Sequence, residues 1–444
     1  MARVLALDLG SSSVRAQLHD ERAAPVGAAA QRSYDSSGGT LDPEALAAAV
    51  EAVLAEAGTA PAIGCSSFWH SLLVLDAADR PLTPVLTWRD VRSAPQALAL
   101  RERLDETAVH ARTGCHIHPT YWPAKLAWLR EKDPDVFVRA HRFVSFADWL
   151  LLRLTGELRT SVSMASGTGL WTSGGWDEEL LGELGVDAGR LPPVSDEPVG
   201  TWLPPRGDGA CSNLGAGCVT PDRAALMIGT SGALRVVRPV DDSAPPPGLF
   251  RYRLDEESAV EGGSLSDGGN LHAWLERTLR LPDNASLDGR APDGHGLTFL
   301  PLLGGERSPG WHADAHGAIA GLSFETDPLD LLQAALEGVA YRFAEIADLL
   351  PGVTEVVATG AALDANPAWT QILADVLERP VHRGPTEGSL RGAAILALAH
   401  LGIAVPPADP HGAFEPREDR AETYRLARAK QRNLYLRNLE RGEP

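Results

Sequence analysis

Asp8-Leu9-Gly10-Ser11-Ser12-Ser13-Val14-Arg15 is the stretch on which the reading of this chain turns. An apolar run, Val4 to Leu9, leads into it and a second, Val14 to Leu18, leads out. Glycine and serines between two such runs predict strand, turn, strand. A third run, Pro25 to Ala30, completes an antiparallel meander. Pro43 to Ala57 is rich in Ala, Leu and Glu, has Pro at a first helical position and stops at Gly58, which predicts a helix. Two further apolar runs, Ala62 to Cys65 and Leu72 to Leu75, precede helical patterns from Ser93 to Leu154, broken near Pro119 to Pro123.

The theme then restarts. Arg223 to Ile228 is an apolar run, Gly229-Thr230-Ser231-Gly232 a turn and Ala233 to Val237 another run. Strand, glycine with hydroxyl residues, strand thus occurs twice, which is the mark of a duplicated domain. A boundary near Pro221 gives domains of 1–221 and 222–444. Pro245-Pro246-Pro247 reads as a surface loop. Glu418 to Arg441 reads as a charged helix without a continuous apolar face, and the sequence leaves open whether it packs back on the N-terminal domain.

Composition narrows the function classes. The 444 residues are 44% hydrophobic and 22% charged, which describes a globular chain with ample core material. A net charge of −19 argues against nonspecific binding to nucleic acid or to an anionic membrane, since both need the opposite field. No apolar stretch is long enough for a transmembrane helix, and Asp8 interrupts the first run too early for a signal peptide. Cys65, Cys115, Cys211 and Cys218 form no Cys-x-x-Cys pair and read as reduced thiols of a cytoplasmic protein. The sequon Asn284 to Ser286 is then coincidental.

Glycine and hydroxyl turns at strand ends cradle phosphate well: glycine admits close backbone approach, and peptide N–H and hydroxyl groups donate to phosphate oxygens. Either turn alone could be an ordinary hairpin turn; two matched turns, the first preceded by Asp8, favour a nucleotide. A Walker loop is excluded, because Lys125, Lys132 and Lys430 are the only lysines and none follows glycine. Cys115-His116-Ile117-His118 and His312-Ala313-Asp314-Ala315-His316 have metal-ligand residue types but no second ligand pair at a recognised spacing.

Here the resemblance becomes specific. Asp8 to Arg15 resembles the first phosphate motif of the actin–hexokinase superfamily, and Ile228-Gly229-Thr230-Ser231-Gly232 the second. Glu261 to Gly269, Gly304-Gly305-Glu306-Arg307-Ser308-Pro309, Gly317 to Leu322 and Gln333 to Gly338 narrow the resemblance to the FGGY carbohydrate kinases. Thr359-Gly360-Ala361-Ala362, with Trp369-Thr370-Gln371, resembles that family's adenosine motif. Phe68-Trp69-His70, Thr87-Trp88-Arg89-Asp90 and His118-Pro119 are most similar to bacterial gluconokinases.

The resemblance implies a two-domain α/β fold with duplicated ribonuclease-H-like cores flanking a nucleotide cleft. It implies an ATP-dependent, Mg²⁺-assisted kinase for a small sugar or sugar acid, D-gluconate first, with a ketopentose or alditol kinase or a catalytically silent binding protein as alternatives. Asp208, in Arg206-Gly207-Asp208-Gly209, would be the general base, and Asp8 would organise Mg²⁺ largely through water. Ser11, Ser12 and Arg15 would lie beside the transferred phosphoryl group, with Gly229, Thr230, Gly305 and Gly360 along the nucleotide. Trp69, His70, Asp90 and Tyr121 would bind the sugar. His70, Arg92 and Lys125 are the candidate cations for a substrate carboxylate. No nucleic-acid or membrane partner is implied, and whether the chain forms a homodimer is left open. Three features depart from the family pattern: Ala361 replaces a glycine, the segment Asp196 to Gly207 is short, and the spacing of Tyr121 to Lys125 is one residue off.

Overall fold

The computed structural model describes residues 3–35, 38–282 and 286–440; Asn284 and Ala285 of the sequon fall outside them. Two sheets organise the chain. The first orders its strands Pro25–Ser33, Ser13–His19, Val4–Leu9, Ile63–Ser67 and Arg206–Gly207, antiparallel across the first three and parallel thereafter. The second repeats that order with Ser258–Leu265, Gly232–Pro239, Arg223–Ile228, Glu355–Thr359 and Val381–Arg383, and adds edge strands Phe250–Arg253 and His411–Phe414. The central strand Val4–Leu9 is buried along its whole length because helices cover both faces, which explains its unbroken apolar run.

The halves lock through two helices that each follow the fifth strand of the shared order, Asp208–Gly215 after Arg206–Gly207 and Gly388–His400 after Val381–Arg383. Their contact is built from small residues. A Cβ on Gly392 would lie 1.9 Å from the Cys211 carbonyl oxygen, one on Gly215 1.9 Å from that of Gly388, and one on Gly64 2.0 Å from that of Ala393. Glycine is required at this crossing, since any side chain would push the backbones apart. Ala393, Ala394, Ala397 and Leu398 of the second half pack there on Val4, Ala6 and Ala62 of the first.

The long insertion after Ile63–Ser67 is helical, as read, with helices Ala94–Arg103, Glu106–Thr113, Trp122–Lys132, Pro134–Arg139 and Phe146–Thr155. It also contains a short strand, Arg142–Val144, that the helical pattern concealed; this strand pairs with Leu73–Leu75. The terminal helix Glu418–Glu440 does not return to the N-terminal half. It lies on the helices Pro328–Asp348 and Pro367–Leu377 and the strands Thr298–Leu300 and Ala318–Ala320, all in the C-terminal half. Its anchors are single side chains: Tyr424 and Gln431 are buried, and Gln431 donates to the carbonyls of Phe299 and Gly338. No helix among the described residues is long and apolar enough to cross a membrane.

Candidate active site

Asp8, next to last in the first strand, stands in register with Ser66 and Arg15. One carboxylate oxygen accepts from Ser66 Oγ at 2.8 Å, and the other accepts from Arg15 Nη2 at 2.5 Å. Arg15 reaches on to Glu387, which stands at the start of the helix Gly388–His400, so the guanidinium bridges the two halves. The Gly10–Ser12 turn is tied by Gly10 N–H to the Ser13 carbonyl, and Tyr34 donates through its hydroxyl to the Gly10 carbonyl and through its N–H to that of Ser12. Ser11 and Ser12 sit on this turn.

Asp208 opens its helix directly after the two-residue strand Arg206–Gly207. The short segment before it therefore still delivers the carboxylate to a strand end and a helix N-terminus. Its pKa is raised: burial is the largest cause, the Arg235 guanidinium opposes it, Asp8 adds to the rise and the Gly209 N–H bond lowers it. A carboxylate held above its usual range is a stronger base, while two nearby arginines, Arg235 and Arg307, still favour ionisation.

Trp69 fits against the backbone beside this acid. A Cβ on Gly207 would meet the indole at 1.8 Å, one on Gly167 at 2.4 Å and one on Gly209 at 2.6 Å, so three glycines make its slot. The indole N–H donates to the Ser163 carbonyl at 3.0 Å. His70 takes a left-handed backbone (φ 69°), a conformation worth about 1–3 kcal/mol of strain in a non-glycine residue and concentrated at functional sites. Its Nδ1–H donates to the Gly167 carbonyl at 2.6 Å, which leaves Nε2 as an acceptor for a hydroxyl. Burial pushes its pKa down to about 3, with Lys125 and Arg307 adding to the fall, so His70 is neutral. Tyr121 and Tyr252 complete the group: ring centroids lie 5.0 Å (Tyr121) and 5.4 Å (Tyr252) from His70, and their hydroxyls are hydrogen-bonded at 2.5 Å. Asp90 stands apart, gripped by Arg92 through Nε at 2.9 Å and Nη2 at 2.6 Å.

The three candidate cations are thereby accounted for. His70 is uncharged, and Arg92 is spent on Asp90 and lies 4.6 Å from the centre of the Trp128 ring. Lys125 is buried beneath the His70 loop, donating to the carbonyls of His70 (2.6 Å) and Leu86 (3.4 Å), and burial lowers its pKa to about 7. Sequence reading missed two other cations. Arg235 on the strand Gly232–Pro239 and Arg307 in the Gly304–Pro309 loop are both nearly fully buried and face Asp208 and Tyr252. Arg307 follows Gly305-Glu306 in a motif already singled out, but only the fold brings Arg235 there from a strand that reads as core.

On the C-terminal side, Gly229 and Thr230 accept backbone hydrogen bonds from Gly269 and Asn270. Gly360 (φ 115°) caps the short helix Ala361–Ala365, and a Cβ there would lie 2.2 Å from the Ile228 carbonyl oxygen. Gly305 (φ 73°) is as constrained, 2.4 Å from the Ala313 carbonyl oxygen. Ala361 itself is exposed, so its methyl crowds no buried neighbour. A cleft of about 440 Å³ runs between the halves, lined by Trp88, His118 and Thr120 on one side and by Asn270, Gly305 and Arg307 on the other. Arg307 joins this cleft to the aromatic group, its guanidinium 4.6 Å from the centre of the Trp88 ring.

Among the described residues, neither histidine-rich segment brings three ligand side chains together. His116 stacks between His110 (4.0 Å) and Trp311 (4.8 Å), and Cys115 bonds to the Ser166 carbonyl. A third grouping, Asp293, His295 and Glu337, has ligand atoms within 4.8 Å of one another. His295 Nδ1 accepts from Leu297 N–H, so its Nε2 carries the proton and donates to Glu337. Glu337 also accepts from Gln333 and Tyr341, and Asp293 from Lys430; the cluster is a satisfied hydrogen-bond hub.

Residues 3–203 match the N-terminal domain of the FGGY family of carbohydrate kinases, and residues 224–401 match its C-terminal domain. Gluconokinase of Bacillus subtilis is 30% identical over 381 residues, covering 77% of this chain and 74% of that protein. Xylulose kinase of Streptomyces rubiginosus is 34% identical over 381 residues, covering 78% and 76%. The crystal structure of gluconate kinase from Lactobacillus acidophilus superposes with a TM-score of 0.87 at 27% identity, covering 98% of this chain and 97% of the other.

Proposed function

Because the chain belongs to the FGGY family of carbohydrate kinases, and so phosphorylates a small sugar with ATP, we propose that its substrate is D-gluconate and that Asp208 is the base. The single observation that carries the catalytic part is the placing of Asp208 at a helix N-terminus, with its pKa raised and two arginines facing it. In this reading Asp208 accepts the proton of the sugar hydroxyl as that oxygen bonds to the γ-phosphorus and the bond from phosphorus to ADP breaks. Trp69 and Tyr252 offer flat apolar walls to C–H groups, and neutral His70 accepts from a hydroxyl through Nε2.

Ser11, Ser12 and Arg15 are proposed to face the transferred phosphoryl group, with Gly229, Thr230, Gly305 and Gly360 along the nucleotide. Mg²⁺ is proposed to be held beside Asp8 largely through water, since each carboxylate oxygen already accepts one hydrogen bond; bound there, it would neutralise phosphate charge. Tyr121, fully buried and bonded to Tyr252, is proposed to hold the ring group in place, and Asp90 to reach the sugar only if Arg92 releases it.

Gluconate is favoured by the gluconokinase relatives and by the surplus positive charge around Asp208. A ketopentose is the second reading, favoured by xylulose kinases of the same similarity. Coupled ADP-release kinetics on gluconate, xylulose, ribulose, glycerol and erythritol test both. Gluconate is expected to give the highest kcat/KM; a neutral substrate leading the panel overturns the assignment.

A further inference from the structure

The two halves exchange charge across their contact in a nearly symmetric way. Arg15, on the second strand of the first sheet, reaches Glu387 at the start of the second half's helix. Arg235, on the second strand of the second sheet, faces Asp208 at the start of the first half's helix. The symmetry fails in one respect. Arg15 lacks a partner only at Nε; both terminal nitrogens are occupied, by Asp8 and by Glu387. Arg235 is 5% exposed, yet its Nε and Nη2 have no partner, and Arg307, 8% exposed, leaves its own Nε without one.

Unpaired buried guanidinium N–H groups are expensive, because each has lost water without gaining an acceptor. The surroundings do not balance them. Asp208 supplies one negative charge, and among the described residues neither arginine forms an ion pair with it. Tyr121 and Tyr252 are held neutral by burial, and so is His70. Asp267, behind Arg307, is pushed up to about 7, again chiefly by burial. Two positive groups therefore stand against one carboxylate. An anion with two acceptor oxygens would satisfy the free N–H groups and the charge together, and a guanidinium offers them in a fork that matches a carboxylate.

We propose that Arg235, assisted by Arg307, binds the carboxylate of an aldonate substrate and so determines specificity for sugar acids over neutral sugars. The inference rests on the kinase reading above and adds the residues that would select its substrate. The same forked chemistry suits the transferred phosphoryl group, and the experiment separates the two sources.

Arg235→Gln and Arg235→Lys are compared with the parent chain for gluconate and xylulose kinetics, for gluconate binding by calorimetry without nucleotide, and for thermal melting. Loss of a two-pronged charged contact is expected to lower the gluconate-to-xylulose ratio of kcat/KM on the order of 10–100-fold, mostly through KM. Nucleotide-free gluconate binding should weaken by a similar factor, with Lys intermediate because it keeps the charge but not the fork. If Arg235→Gln does not fold, Arg235→Lys alone decides by the same ratio. An unchanged ratio, with kcat falling alike on both substrates and gluconate binding intact, would assign Arg235 to the phosphoryl group and overturn the proposal while leaving the gluconate reading in place. A parent chain that phosphorylates only neutral sugars overturns both.

Discussion

The two halves share one strand order but not one chemistry. At the first turn, the second pair out from the loop is Asp8 and Arg15; at the equivalent pair in the second half stand Met227 and Ala233. The neighbouring parallel strands end alike, with Ser66 beside Asp8 and Thr359 beside Met227. Duplication has thus kept the backbone geometry, in which peptide groups and glycines meet at strand ends, while at this pair one copy carries charged side chains and the other uncharged ones. Such a division suits a reaction between a charged nucleotide and a polyol. Charge stabilisation and proton transfer belong at the reacting end, and the nucleotide needs close backbone approach more than it needs side chains.

The strongest test of this division uses matched acids. Asp208→Asn is expected to lower kcat on the order of 10²–10⁴, with sugar and nucleotide affinities kept. Glu387→Gln, at the corresponding helix start, should cost less than about tenfold, the scale of a partly exposed ion pair that leaves Arg15 still bonded to Asp8. Equal losses in single-turnover assays would show that the halves contribute alike and would end the comparison. Asp8→Ala should come next, shifting the Mg²⁺ concentration needed for half activity upward by about tenfold or more, with free-sugar binding little changed. Losing sugar affinity instead would remove Asp8 from the metal's neighbourhood.

The glycine crossing offers a structural test. Gly392→Ala puts a methyl against the Cys211 carbonyl and should destabilise the chain by about 1–3 kcal/mol or more, read as a lower Tm. If the melting temperature is unmoved, the halves do not depend on this crossing.

A subtler measurement is the acid limb of kcat/KM. Asp208 must be ionised to accept a proton, and its folded pKa is raised, so activity should fail on acidification above about 3.9, the ordinary aspartate value. Arg235 lowers that pKa, so Arg235→Gln should move the limb to higher pH; a move to lower pH would contradict the electrostatic assignment. The smallest effect is expected from Ala361→Gly. The methyl is exposed at the first position of its helix, so KM for ATP should change by less than about twofold. A marked tightening would mean that the alanine does crowd the nucleotide.

Much of this was legible before folding. Strand, turn and strand could be read at Leu5 to Leu18 and again at Arg223 to Val237, because apolar runs and glycine with hydroxyl residues act locally. The matched turns stood out for the same reason, whereas Gly-Asp-Gly at 207–209 and Gly-Glu-Arg at 305–307 stood out only through the family resemblance. What could not be read was which cations are free. His70, Arg92 and Lys125 look available in one dimension, yet each is committed: to the Gly167 carbonyl, to Asp90, and to the carbonyls of His70 and Leu86. Arg235 looks like one polar residue in an apolar strand. Its importance arises from Gly209, which comes from the other half and lies so close that a Cβ there would be 2.1 Å from Arg235 Nη1.

The sequence by itself determined the duplicated α/β plan, the turns at the strand ends and the acids beside them, because backbone propensity and hydrophobic period are properties of neighbours in the chain. Only the tertiary structure decided which side of the C-terminal half the last helix covers, which arginines remain unpaired and which residues wall Asp208. Pairing and burial are settled between residues as far apart as Arg15 and Glu387, and the free energy of a charge depends on the partners that folding brings to it.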